Sequence, residues 1–92
     1  MIDIIIPIYN TPIKDLERCL NSVLTQKFNK YVVYLIDDGS NIETKTYLDN
    51  YAKDKSNFIV KHIQNGGVSN ARNTGLNISN TEYLVNIRLP DY

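Results

Sequence analysis

Apolar residues along the 92-residue chain fall into two spacings that alternate from one end of the sequence to the other. Short runs rich in isoleucine, valine and tyrosine predict buried β-strands, and stretches with apolar residues three or four positions apart predict amphipathic helices. The first helix is predicted from Leu16, Cys19, Leu20, Val23 and Leu24. Strands are predicted over residues 2–9, 31–37, 58–63 and 83–87, and the third helix over residues 68–78.

Polar residues mark where the first two helices are expected to begin. Thr11 is a candidate cap for the first helix, with Pro12 in its first turn. The second helix follows Ser40-Asn41-Ile42-Glu43, which fits an S-x-x-E capping box, and Leu48, Tyr51 and Ala52 then form its apolar stripe.

Strands that alternate with helices predict a parallel sheet joined by right-handed crossovers. The strands are apolar along nearly their whole length, as expected for a sheet covered on both faces. The predicted fold is therefore an α/β, βαβαβαβ three-layer sandwich with a four-stranded, mainly parallel sheet. Ligands of such sheets bind at the carboxyl ends of the strands.

The residues at that edge suit a ligand with a flat ring, hydroxyl groups and phosphate. Pro7 and Tyr9 end the first strand, and the Tyr9 ring offers a stacking face. Asp38 accepts hydrogen bonds only, and Arg72 follows a Gly66-Gly67 turn at a helix start, where phosphate oxygens are readily bound. The two glycines are equally well explained as a sharp strand-to-helix turn without a ligand.

Adjacent strand residues point to opposite faces of a sheet, so Asp37 and Asp38 are not expected to serve one ligand together. We expect one of them to support the turn and the other to face a site.

Composition limits the classes of function. Ten acidic residues balance ten basic ones, which gives no general attraction to nucleic acid or to an anionic membrane. The longest apolar run is far shorter than a membrane span, and the chain is expected to be cytoplasmic. Cys19 is the only cysteine and is expected to be a packed thiol, and His62 is expected to be a packed or surface histidine without a role.

Two other classes with this architecture fit less well. A dinucleotide oxidoreductase would carry G-x-G-x-x-G after the first strand, where this chain has Tyr9-Asn10-Thr11-Pro12. A phospho-receiver domain would end its third strand in an aspartate, where this chain has Ile63-Gln64-Asn65.

Four motifs in order resemble the inverting, nucleotide-sugar-dependent glycosyltransferases that share the GT-A fold. They are I-I-I-P-I-Y-N, I-D-D-G-S, N-G-G-V-S-N-A-R-N-T-G-L and T-E-Y-L-V. The resemblance implies the N-terminal, nucleotide-binding half of such an enzyme, with strand order 3-2-1-4. It implies transfer of a sugar from a nucleotide-sugar, with UDP as the expected nucleotide, to a glycan or polysaccharide acceptor. Tyr9 and Asp38 would contact base and ribose and Arg72 would lie near the nucleotide, in a donor site made of Pro7, Tyr9, Asp38, Gly67 and Arg72. Asp37 would stabilise the turn with Ser40.

The sequence departs from the family at the acidic D-x-D motif that holds Mg²⁺ or Mn²⁺ against the donor diphosphate. Alignment on Tyr83 places Arg88 and Pro90 at those positions and leaves only Asp91. We therefore expect no metal site and no catalytic residue in this chain. Residues 1–92 are expected to form one partial domain that lacks the acceptor-binding half and is inactive alone. The alternative is a non-catalytic remnant that binds nucleotide or only associates with itself.

Self-association is expected at the fourth strand. That strand would lie at the edge of the sheet, with Leu84, Val85, Ile87 and Leu89 uncovered. Unpaired edge strands and exposed apolar side chains favour pairing with another chain, so a homodimer is predicted.

Overall fold

A computed structural model describes residues 2–26, 30–79, 83–90 and 92. Within these residues strands and helices alternate as the sequence predicts. The elements are β1 (Ile2–Ile8), α1 (Ile13–Leu24), β2 (Tyr31–Asp38), α2 (Ile42–Ala52), β3 (Phe58–Ile63), α3 (Val68–Ile78) and β4 (Tyr83–Asn86). The bounds of β3 and α3 match the prediction, whereas β1 and β4 each end one residue early and β2 runs one residue further, to Asp38.

The four strands form one sheet in the order β3-β2-β1-β4, and all three pairings are parallel. This confirms the predicted strand order. Strand β1 is central, and its pairing with β4 extends from Ile2 to Ile5. Pro7 lies beyond that pairing, so its missing N–H falls where β4 has already ended and no ladder hydrogen bond is lost there.

Helices cover both faces of the sheet, as expected for a three-layer sandwich. On one face the even-numbered isoleucines of β1 pack against α1 and α2, through side chains that include Leu16, Leu20 and Leu48. On the other face Ile5 packs with Tyr34, Ile36 and Ala71 of α3. Alternate residues of each buried strand thus enter different clusters, which explains why the strands are apolar throughout.

Both predicted helix caps are wrong in detail. The residue before α1 is Pro12, which caps without a side-chain hydrogen bond, and the Thr11 hydroxyl is buried without a partner. Helix α2 begins one residue later than predicted, because the Asn41 side chain accepts a hydrogen bond from the Thr44 amide at 3.0 Å. Ser40 is not the cap, because its side chain bonds the end of β1 instead.

The segment after β4 differs from the expectation of a fully uncovered strand. Leu89 is buried and joins the cluster beneath α1 and α2, Ile87 packs against that cluster, and Leu84 packs against the opposite one. Of the four side chains expected to be uncovered, only Val85 is exposed. Asp91 lies outside the described residues. Among the described helices, none is both long and apolar enough to cross a membrane.

Candidate functional site at the carboxyl edge of the sheet

Asp37 is a structural residue at the end of β2. Its side chain is completely buried, and Oδ1 accepts a hydrogen bond from the Ser40 amide at 2.9 Å. The predicted contact between Asp37 and Ser40 is therefore present. The Ser40 hydroxyl in turn accepts a hydrogen bond from the Asn10 amide, at 2.9 Å, so the turn after β2 is tied to the end of β1.

His62 completes this arrangement, and the sequence analysis missed it. The ring nitrogens lie 2.6 Å from Asp37 Oδ2 and 2.7 Å from Asp49 Oδ1. Burial lowers the pKa of His62, but hydrogen bonds and charge from both aspartates outweigh burial and hold this pKa above its usual value. The sequence signal was available, since β2 pairs with β3 and places His62 opposite Asp37.

Asp38 points to the opposite face of the sheet, as predicted, but it is not an open ligand-facing carboxylate. It is completely buried, and it accepts backbone hydrogen bonds from Gly66 and Gly67, at 2.8 and 3.0 Å, and a side-chain bond from Asn65. The carboxylate thus fastens the loop before α3 to the end of β2. Replacing Asp38 by asparagine would disturb this loop as well as any ligand, so that variant cannot isolate binding.

Tyr92 occupies the space between Tyr9 and Asp38. Its hydroxyl donates a hydrogen bond to Asp38 Oδ2, and its ring centroid lies 6.0 Å from that of Tyr9, with the planes tilted by 38°. Burial and the hydrogen bond to Asp38 raise the pKa of the Tyr92 hydroxyl, which therefore stays a donor at neutral pH. We call the space bounded by Tyr9 and Asp38 the aromatic cleft. No pattern in the sequence predicted that Tyr92 would fill it.

A small pocket adjoins the aromatic cleft, and the predicted residues Pro7 and Arg72 line it together with Tyr92. Arg88 also lines the pocket, and its Nε and Nη2 donate to the Tyr92 carbonyl oxygen at 3.2 and 2.9 Å. The structure therefore brings all five predicted donor-site residues to one edge. Asp38 accepts a hydrogen bond from Gly67 directly. Tyr92 contacts Asp38 and Tyr9, and it lines the same pocket as Pro7 and Arg72.

The described residues at this edge do not fit a divalent cation. Within the described part of the chain, no three His, Cys, Asp or Glu side chains come together as potential ligands. Both carboxylate oxygens of Asp38 already accept hydrogen bonds from protein groups. Arg88 and Pro90, at the positions of the expected acidic motif, provide no side-chain oxygen at all.

A four-stranded parallel sheet with its polar groups gathered at the carboxyl edge defines a doubly wound α/β domain. Residues 3–87 match the family model described as Glycosyl transferase family 2, and the chain belongs to this family. The predicted resemblance and the predicted GT-A fold are thereby confirmed.

Two bacterial glycosyltransferases are similar to this chain in sequence. The chain is 33% identical over 92 residues to the glycosyltransferase EpsJ of Bacillus subtilis, and it covers 26% of that protein. It is 32% identical over 85 residues to the glycosyltransferase GlyG of Streptococcus pneumoniae, which corresponds to 91% of this chain and 28% of GlyG. The chain thus spans about a quarter of the length of these relatives.

Solved structures show the same fold. Residues 1–349 of S. aureus TarS in complex with UDP-GlcNAc superpose with a TM-score of 0.81 at 28% identity, over 95% of this chain and 26% of that 1–349 chain. The mannosyltransferase PcManGT from Pyrobaculum calidifontis, in complex with GDP-Man and Mn²⁺, matches with a TM-score of 0.73 at 22% identity, over 90% of this chain and 25% of PcManGT.

Proposed function

We propose that the chain is the donor-binding part of a glycosyltransferase and that it binds a UDP-sugar in the aromatic cleft. The observation that carries this proposal is the position of Tyr92. Its planar ring packs on Tyr9 while its hydroxyl donates to Asp38, so the cleft accepts an aromatic group with a hydrogen-bond donor. A uracil ring with its N–H, or a nucleoside with its ribose hydroxyls, has these two features.

Family membership and one neighbour support a nucleotide-sugar as the ligand. The chain belongs to glycosyl transferase family 2, and the TarS structure that shares its fold contains UDP-GlcNAc. We propose UDP over other nucleotides on this basis. We also propose a glycan or polysaccharide acceptor, as the family resemblance implies, and a cytoplasmic location.

Residues 1–92 would act as one partial domain within a glycosyltransferase. No carboxylate of the described residues at the carboxyl edge is free to act as a general base, since Asp37 and Asp38 are both held by backbone amides. We expect the isolated chain to bind donor but to transfer no sugar. Incubation with labelled nucleotide-sugars and mixed acceptors, with and without Mn²⁺, should give no product above the blank.

Binding requires Tyr92 to leave the aromatic cleft. Asp38 Oδ2 already accepts bonds from Gly67 and from the Asn65 side chain, and a ligand in the cleft would take the position held by the Tyr92 hydroxyl. The Asp38 carboxylate is preorganised for that exchange because Gly66 and Gly67 fix its orientation.

The test measures UDP binding by calorimetry in Tyr9→Ala. Loss of the stacking face should weaken binding by about 1–3 kcal/mol, the range for a base stacked on an aromatic side chain. Tyr83→Ala is the matched control, because Tyr83 is exposed and pairs with Ile2 at the opposite end of the sheet. Tyr92→Ala should bind UDP at least about threefold more tightly than the parent, because the internal competitor is removed. Equal affinity of the parent and Tyr9→Ala would contradict the proposed cleft.

A second candidate role is a self-associating module without ligand, and the exposed Val85 on the edge strand β4 favours it. The two roles are compatible, but only the first requires UDP affinity. A chain that dimerises, melts cooperatively and binds no UDP in the Tyr92→Ala variant would retain the second role alone.

A further inference from the structure

The absence of the acidic motif raises the question of what would neutralise the donor diphosphate in this chain. Arg88 and Pro90 stand where metal-holding carboxylates are expected, and among the described residues the edge carboxylates Asp37 and Asp38 are bonded to amides. A guanidinium carries the positive charge itself and matches phosphate oxygens with paired N–H groups. The position that would hold a metal ligand thus holds a phosphate-binding group.

The pocket beside the aromatic cleft contains a second such group. Arg72 of α3 and Arg88 after β4 line the same small pocket from two different elements. Among the described residues, the lining contains no carboxylate that would compete for them; it consists of Pro7, Val68, Arg72, Asn86, Ile87, Arg88 and Tyr92. Two guanidinium groups in a lining whose described residues include no carboxylate favour an anion over a cation or an apolar ligand.

The pocket also lies next to the aromatic cleft. Tyr92 forms part of its wall and at the same time contacts Tyr9 and Asp38. A ligand whose ring replaces the Tyr92 ring would therefore extend its next groups toward Arg72 and Arg88. In a nucleoside diphosphate those groups are the phosphates.

Arg88 is already oriented by an oxygen acceptor. Nε and Nη2 both donate to the Tyr92 carbonyl oxygen, and among the described residues no other acceptor bonds this guanidinium, which carries five N–H groups. Displacement of Tyr92 by a ligand would release Asp38 and the bonded edge of Arg88 together. Tyr92 thus occupies both the position that bonds Asp38 and the position that bonds Arg88.

We propose that Arg72 and Arg88 bind the diphosphate of the donor in this pocket and replace the divalent metal that the acidic motif would hold. The proposal rests on the proposed function for the identity of the ligand as a nucleoside diphosphate. It extends that function by assigning Arg88 to the site and by making donor binding independent of metal.

The experiment compares UDP with uridine by calorimetry in EDTA and in Mn²⁺, using the parent and Tyr92→Ala. In EDTA, UDP should bind at least about tenfold more tightly than uridine, because charge-assisted hydrogen bonds to the phosphates are added. Addition of Mn²⁺ should change UDP affinity by less than about threefold. In the Tyr92→Ala background, where the competing ring is absent, Arg72→Gln and Arg88→Gln should each remove most of the advantage of UDP and leave uridine affinity unchanged.

Arg18→Gln is the matched control, since Arg18 lies on α1 and does not line this pocket. Three results would overturn the proposal while leaving the aromatic cleft intact: equal affinity for UDP and uridine in EDTA, an advantage for UDP that survives both glutamine variants, or an advantage that appears only with Mn²⁺. Failure of a folded Tyr92→Ala chain to bind either compound would overturn the proposed function, and this proposal with it.

Discussion

At the residue scale, two adjacent aspartates do different work because a strand turns them to opposite faces. Asp37 contacts His62 of β3, whose ring also contacts Asp49 of α2, and Asp38 faces the loop before α3. Each carboxylate accepts at least one backbone amide. Alternation along the strand predicted this division from the sequence. It could not predict that Tyr92 would bond Asp38 or that Asp49 would bond the far side of His62, since both residues come from distant parts of the chain.

Protonation of His62 should make stability depend on pH. The pKa of His62 is raised in the folded chain, so its bonds to Asp37 and Asp49 contribute fully below the unfolded value of about 6.5 and are lost as pH rises through the folded value. The free energy of unfolding should therefore fall as pH is raised from about 6 toward 8. Urea titrations of His62→Gln should show a flatter profile over this interval, because His62 is the only histidine.

Lys61→Gln is the control for that prediction, since Lys61 is exposed and adjacent in sequence but does not titrate in this interval. A parent profile that is flat from pH 6 to 8, or one identical in His62→Gln, would show that the bridge contributes nothing measurable.

At the element scale, helix α3 approaches β1 more closely than a side chain permits. A Cβ placed on Gly75 would lie 2.5 Å from Ile5 Cγ2, and Ile5 is completely buried. Since Cγ2 is fixed to the β-branch of Ile5, it cannot move away without a shift of helix or strand. The glycine therefore sets the distance between these two elements.

Gly75→Ala should lower the free energy of unfolding by about 1 kcal/mol, because an overpacking cost of about 1–3 kcal/mol exceeds the helix-propensity gain of about 1 kcal/mol. Asn77→Ala on the exposed side of the same helix should be neutral or slightly stabilising. Denaturant titration of both variants measures the difference, and a stabilised Gly75→Ala chain would mean that the two elements separate freely.

The elements that sequence predicted best are those whose signal is local. Periodicity placed all seven elements and predicted the bounds of β3 and α3 correctly. Helix starts were predicted less well, because Ser40 and Asn41 are both good caps and a contact to Asn10, thirty residues earlier, decides between them. Burial of Leu89 likewise depends on where the chain turns after β4, which no local pattern encodes.

At the scale of the whole molecule, the sheet presents β4 as one edge and β3 as the other. Val85 is 38% exposed and Tyr83 68% exposed, although Leu84, Ile87 and Leu89 are covered within the chain. The apolar surface that remains is smaller than the sequence suggested. The predicted self-association through β4 would therefore rely more on backbone pairing than on apolar burial.

Light scattering at micromolar concentration should report about twice the chain mass for the parent, as expected for a closed two-fold dimer. Val85→Lys should shift the chain to monomer, because a lysine on an edge strand opposes pairing. Ile59→Lys is the matched control, since Ile59 is an exposed β-branched residue on the opposite edge strand. A monomeric parent with a cooperative melt would refute dimerisation, and a monomeric Ile59→Lys chain would assign the contact to β3.

The order β3-β2-β1-β4 has a consequence for biosynthesis. Of the four strands, β1 leaves the ribosome first, yet one of its two neighbours, β4, leaves it last. A nascent chain that has folded through β3 would carry one flank of β1 open until residue 86 emerges. At about 5–20 residues per second, the interval between residues 63 and 86 lasts on the order of seconds, ample time for contact with a chaperone or another nascent chain. Pro7 shortens the stretch of that flank able to donate hydrogen bonds, and so limits intermolecular pairing before translation brings β4 into place.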